Sequence, residues 1–246
     1  MGKMNQQPPA SPTIKQQVRR LLDRGSHLPE RWRTLPVRKA INAVFPYLYS
    51  TDPHLKWGAV QALGVLVARL ADDDLEAARN VVRRLIWNLN DESGGIGWGS
   101  AEAMGEILAN HAVLRGEYLQ ILLAYTRKDG NLLEHDGLLS GALWGLGQVA
   151  RASAELLSGA AGYLALHLQS NNAMVRAVTV RLLGLLGDNG VRGQLQQLEN
   201  DGEEVMLFEE GGLRTVRIRE LAAEALERLK QRVGLRQSTD AGPTLH

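Results

Sequence analysis

The sequence predicts an all-α protein made by stacking about five similar helix pairs, and three observations predict it. Four segments, DPHLKWGAVQALG (52–64), SGGIGWGSAEAMG (93–105), HDGLLSGALWGLG (135–147) and NAMVRAVTVRLLG (172–184), align without a gap on their final glycine. A weaker fifth copy, TVRIRELAAEALE (215–227), carries Glu in the glycine column. The column repeats at intervals of 41, 42, 37 and 43 residues, a period typical of two-helix repeats. Counting back from the glycine, positions one, two, five and six are mostly apolar or small, as in Leu63, Ala62, Ala59 and Gly58. Those offsets share one face of a 3.6-residue helix, so each copy is a helix with one buried side.

The elements follow in order. The segment 11–33 opens with SPTIKQQVRRLLDRG, a capped helix with Ile14, Val18, Leu21 and Leu22 on one side, and is expected to cover the first repeat. A repeat domain follows over 34–232. Within it the first helices of the pairs are expected at Val37–Leu48, Leu75–Asn88, Glu117–Arg127, Ala154–Gln169 and Val191–Asn200. The second helices are the five aligned copies. Twelve residues before the glycine stand Asp52, Ser93, His135, Asn172 and Thr215, four of which are of the types that cap free N–H groups at a helix start, and Pro53 follows where proline is favoured. Two short strands around a Glu-Gly-Gly turn are expected over 204–217, inserted before the last helix as a cap hairpin. Segments 1–10 and 233–246 are expected to be disordered tails. A helix pair cannot bury its faces alone, so neighbouring pairs must stack.

Composition removes several function classes. The 246 residues are 44% hydrophobic, enough for a sizeable core, and contain no cysteine. Disulfides, thiolate metal sites and thiol nucleophiles are thereby excluded, and the cytoplasm is the simplest location. No apolar run reaches the roughly 18 residues of a membrane span. Residues 1–40 hold nine Lys/Arg against two Asp/Glu, while the remainder holds 19 against 25. The body is thus mildly acidic, which disfavours a nucleic-acid partner outside the N-terminal arm.

The second-helix sequences VRAVTVRLLGLLGD (175–188) and LKWGAVQALGVL (55–66) resemble the HEAT-like repeat family in its short bacterial form. The resemblance covers about residues 34–232 and implies a right-handed α-solenoid of about five HEAT-like helix pairs, armadillo-like in kind. It also implies a binding scaffold, although a few HEAT-like proteins are enzymes. Deoxyhypusine hydroxylase, one of these, binds iron through His-Glu pairs near its helix starts. The matching positions here, Trp57-Gly58, Trp98-Gly99, Ser140-Gly141 and Ala177-Val178, hold no histidine, so that reading is rejected.

Three sets of residues are candidate sites. The glycines of the second copy do not follow the G-x-G-x-x-G order and lie after a helix, so no dinucleotide loop is indicated. They are expected on the first turns of a helix, either packed tightly or, with Ser93, Gly94 and Gly95, offering free N–H groups to an anion. The turns between paired helices carry Asp52 and His54, Asp91 and Glu92, and Glu134, His135 and Asp136, expected mainly as helix caps and secondarily as metal ligands. No cofactor is expected.

The third set lies seven and three residues before the glycine, on the face that lines the concave groove of HEAT-like solenoids: Trp57 and Gln61, Trp98 and Glu102, Ser140 and Trp144, Ala177 and Arg181. Trp57, Trp98 and Trp144 form a candidate stripe for a protein or peptide partner, with Glu102 and Arg181 orienting it. The alternative is that the indoles fold back between helices as core. Trp98 and Glu102 also stand as an aromatic and a carboxylate do in HEAT-like alkylpurine DNA glycosylases, which keeps an enzyme or ligand-binding protein using the same groove as the alternative function. Glu102 and Glu106 share one helix, but their spacing alone defines no acid–base pair.

Overall fold

The computed structural model describes residues 12–24, 29–91 and 97–240, with the side chains of 29 and 233–240 outside the description. The chain folds as α1 (Ile14–Asp23), α2 (Pro29–Arg33), α3 (Val37–Val44), α4 (Pro53–Asp73), α5 (Leu75–Asn90), α6 (Ser100–Asn110), α7 (Ala112–Ala124), α8 (Asp136–Ser153), α9 (Ala161–Leu164), α10 (Ala173–Leu186), α11 (Arg192–Gln196), β1 (Glu204–Glu209), β2 (Gly212–Arg217) and α12 (Ile218–Asp240). Helices α4, α6, α8, α10 and α12 pack each on the next, while α3, α5, α7, α9 and α11 each pack against members of that row. The apolar face of every aligned copy is accordingly buried in one continuous core that includes Leu63, Met104, Leu146 and Leu183.

Helix starts follow the side chains available to them. Thr13 and Gln16 form a reciprocal capping box on α1. Asp52, His135 and Asn172 each accept a hydrogen bond from a backbone N–H at the starts of α4, α8 and α10. The second copy departs from this pattern. Gly97 and Gly99 precede α6 instead of lying inside it, and α6 is capped by Gly99 at φ 72° without a side-chain bond. A side chain at Gly99 would be strained by that φ and would also meet the Leu48 carbonyl at 2.8 Å. These two glycines therefore build a turn, and no helix-interior penalty applies to them.

Three other expectations are corrected. Thr215 lies in β2, so the last helix begins at Ile218 and the fifth copy loses its first residues to the hairpin. The expected helix over 154–169 is broken into a 3₁₀ turn, the four-residue α9 and a second 3₁₀ turn, with Gly159 at φ 82° between the first two. The segment 191–200 likewise holds only the short α11, with Gly190 before it and Gly193 inside it. The backbone of α12 runs helical to Asp240, past residue 232, the expected end of the repeat domain.

The glycine column has a packing role. A Cβ built on Gly64 would lie 3.0 Å from Glu106 Cβ on α6, and one on Gly184 would lie 2.9 Å from Ala225 Cβ on α12. One built on Gly105 would lie 2.1 Å from the Cα of Gly145 on α8. Helix α8 presents Gly137, Gly141 and Gly145 at four-residue intervals, hence on one face, and all three meet α6 or the turn before it. Backbones that touch in this way tolerate no added methyl.

Gly145→Ala is expected to destabilise the fold by about 1–3 kcal/mol in urea denaturation. Gly116, inside α7 with nothing within 4 Å of its Cβ position, supplies the contrast: Gly116→Ala should stabilise by up to about 1 kcal/mol. Equal effects at the two positions would show that the α6–α8 approach is not limiting.

Candidate functional site

The starts of α4, α6, α8 and α10 lie along one edge of the stack, and the hairpin crosses the face beside them. Its turn has Glu210 at φ 51° and Gly211 at φ 80°, the pair of positive values that a two-residue type I′ connection needs. Val205 and Leu207 are buried on one side of β1, and α10 packs against that strand. Phe208, on the other side, lies flat on Trp57 with ring centroids 4.7 Å apart and planes 6° apart. Trp144 tilts against Trp57 at 4.6 Å, and its Nε1 donates to the Phe208 carbonyl at 3.0 Å. The indole N–H, which is costly to bury without a partner, is thus satisfied by the strand.

The carboxylate of Glu209 is the hairpin's second anchor. Arg181 donates to it from Nε and from Nη2, the latter at 2.6 Å, and Arg214 donates from Nε at 3.0 Å. Arg151 stands 3.9 Å away. Burial would raise the Glu209 carboxyl, but Arg181, Arg214 and Arg151 together hold it below the usual range. Arg181 also donates to Glu224 on α12. The fork geometry suits a carboxylate gripped from two sides.

Between the hairpin and the helix starts lies an open slot of about 280 Å3. Trp57, Trp98, Trp144, Met174, Met206 and Phe208 give it apolar walls, and Glu102 with Lys56 gives it a polar floor. Glu102 is 3% exposed, and Lys56 Nζ donates to its Oε1 at 2.6 Å while resting 5.0 Å from the Trp57 ring centroid. The carboxylate fits between α6 and α8 because position 141 is glycine: a Cβ there would lie 2.5 Å from Glu102 Oε2. Trp98 fits in the same way against Gly137, and its ring stands nearly perpendicular to that of His135 with centroids 4.9 Å apart.

The structure brings Trp57, Trp98, Glu102 and Trp144 together around this slot. Of the three indoles Trp98 is the open one, 38% exposed, whereas Trp144 is 9% exposed and Trp57 is half-buried. Gln61 lines a neighbouring depression of about 210 Å3 with Glu106, Gln148 and Arg151. Arg181 is engaged by Glu209 and Glu224. Ser93, Gly94, Gly95 and Glu92 lie outside the described residues. Asp91 ends α5, Glu134 is exposed, Asp136 opens α8 and His135 caps it through Nδ1. Among the described residues, no three His, Asp or Glu side chains are placed to hold a metal ion.

Sequence reasoning missed Lys56, Met206, Phe208 and Glu209. Lys56 directly precedes an aligned tryptophan, and the alternation of β1 marks Met206 and Phe208 as sharing one face, but no spacing says that this face meets α4.

Glu106, one turn beyond Glu102, is half-buried beside Gly64 and Asn110. Burial pushes its carboxyl from 4.5 up to about 7, against the opposing pull of Asn110 and Arg151.

No protein-family model matches the chain, and no curated protein matches it. Solved structures do. An engineered protein solved by the Northeast Structural Genomics Consortium is similar over 90% of this chain and 93% of its own, with a TM-score of 0.54 and 17% identity. A designed armadillo repeat protein is similar over 90% and 96%, with a TM-score of 0.51 and 17% identity. Another, in complex with the peptide (KR)4, is similar over 88% and 98%, with a TM-score of 0.52 and 16% identity. The chain therefore has the fold of the armadillo and HEAT-like repeat solenoids, with a small two-stranded antiparallel sheet added. No helix among the described residues is long and apolar enough to cross a membrane.

Two outcomes follow from the buried acids. Because the folded-state value of Glu106 is raised, its unfolded form ionises first as pH rises, so the stability it allows is full below about 4.5 and is lost towards about 7. Glu106→Gln should remove that decline, a difference of about 2 kcal/mol between pH 4.5 and 8 by urea titration after allowance for its partial contact with solvent. Lys56→Ala should cost about 3 kcal/mol at pH 7, since it leaves Glu102 buried and uncompensated, and Lys56→Ala with Glu102→Gln should recover most of it.

Proposed function

We propose that the protein is a non-catalytic adaptor, a right-handed solenoid of about five helix pairs that holds a peptide segment of another protein in its concave groove. The observation that carries this reading is the slot itself. Its aromatic walls, open Trp98 and polar floor have the make-up of an interface anchor pocket, where a large side chain is desolvated and a few polar groups fix its orientation. At about 280 Å3 the slot has room for one large side chain of a longer partner.

Two further points support a protein partner. The similar designed armadillo protein is in complex with a peptide, (KR)4. Arg151, Arg181 and Arg214 near the groove are engaged by Glu209 and Glu224, which leaves them poorly placed to meet phosphates. Trp57 and Trp144 shape the pocket from behind, and Trp98 is the side chain that the partner touches first.

The test compares immobilised wild-type and Trp98→Ala protein in affinity capture from the native host, read by mass spectrometry. Trp98→Ala should melt within about 2 °C of wild type and lose the captured partner, with binding weakened by about 2 kcal/mol or more. Trp144→Ala should instead lose about 3–5 kcal/mol of folding stability. Identical capture by wild type and Trp98→Ala would overturn the assignment of the slot.

A further inference from the structure

Resting on that reading, we propose how the peptide is held: as an added third strand on the outer edge of β1, with one large apolar or aromatic side chain in the slot and basic residues beside it. The edge is defined by two independent features. A two-residue turn makes its flanking residues, Glu209 and Gly212, a hydrogen-bonded pair, so bonding alternates back along β1 from there. Leu207 and Val205 then pair with β2 through their backbones, whereas Phe208, Met206 and Glu204 direct N–H and C=O away from it. The Trp144 bond to the Phe208 carbonyl agrees with that direction, since that carbonyl accepts from a side chain of α8.

The sheet has two strands, so nothing in it covers this edge. Trp144 closes the edge at Phe208, and Met206 is the next residue with outward groups. Met206 is 53% exposed and lines the slot. A strand laid along β1 would place the residue opposite Met206 with its side chain on the face that Met206 and Phe208 share, which is the face meeting Trp57. Backbone pairing supplies affinity and a pocket for an alternate side chain supplies selectivity, as in strand addition generally.

The apolar walls set the anchor's character and the border sets that of its neighbours. Asp52 and Asp136, both exposed, adjoin the slot-lining Pro53 and Gly137. The matching occupant is an extended segment with a Phe, Trp, Leu or Met anchor flanked by Lys or Arg.

The probe is a phage-displayed library of random 12-residue peptides selected on the full chain, followed by affinity measurement on the selected peptides by fluorescence anisotropy. Selected sequences should share one large apolar residue beside basic ones. Met206→Pro removes the outward N–H and leaves the β1–β2 ladder intact, so it should weaken binding about tenfold while Met206→Ala changes it less. Methylating each peptide amide in turn should weaken binding at every second position, a pattern that a helical or side-chain-only ligand does not give.

Peptides that bind and compete at Trp98 but show no period-two response would overturn strand addition and leave the proposed function standing. Failure to select any peptide that depends on Trp98 would overturn both. Self-association abolished by Met206→Pro would assign the edge to a second copy of the chain and overturn the peptide occupant.

Discussion

The close crossing of α6 and α8 is the constraint on which the rest of the molecule depends. Gly105 and Gly145 bring two backbones into direct contact, and this fixes the rotation of both helices about their axes. Once that rotation is set, Glu102 meets Gly141 one helical turn from the contact, and Trp98, in the turn before α6, meets Gly137 two turns along α8 from it. A bulkier residue at any of these places would push α8 away and open the layer through which Trp144 reaches the hairpin. The slot is thus a by-product of a packing solution, with its floor and its open indole set by where side chains are missing.

A buried carboxylate is tolerated in that layer for an electrostatic reason. Glu102 is removed from water, and the ammonium of Lys56 answers it from the neighbouring helix start at 2.6 Å. Lys56 is itself one-fifth exposed, which lowers the desolvation cost of the pair and keeps one partner in reach of solvent or of a ligand. Glu106, a turn away, has no comparable cation in contact and responds by holding its proton more tightly.

The sequence was most informative where one face of a helix repeats. The apolar columns and the glycine at their end located α4, α6, α8 and α10, because burial against an identical neighbour imposes the same pattern each time. It was least informative where context outweighs pattern. The apolar residues of 154–169 have helical spacing, yet Ser158, Gly159 and Gly162 interrupt them and the segment breaks. The second copy keeps register with the others although its glycines form a turn at Gly99. Within the site, Trp98 and Glu102 were legible from their column. The clamp of Arg181 on Glu209 was not legible, since a contact between a helix and a strand inserted later leaves no local period.

The hairpin gives this solenoid a property that simple stacking lacks. In a linear array each unit touches its neighbours alone, and stability is close to a sum of nearest-neighbour terms, so ends can fray while the middle persists. Here Phe208, from the hairpin that precedes the last helix, lies on Trp57 in the first helix of the row. The row is closed by a contact between its first helix and the hairpin before its last, much as a clasp closes a bracelet. Loss of either end removes a wall from the other, so the array should come apart as one unit, and its folding must wait until the C-terminal strands have been made and have found a surface formed long before them.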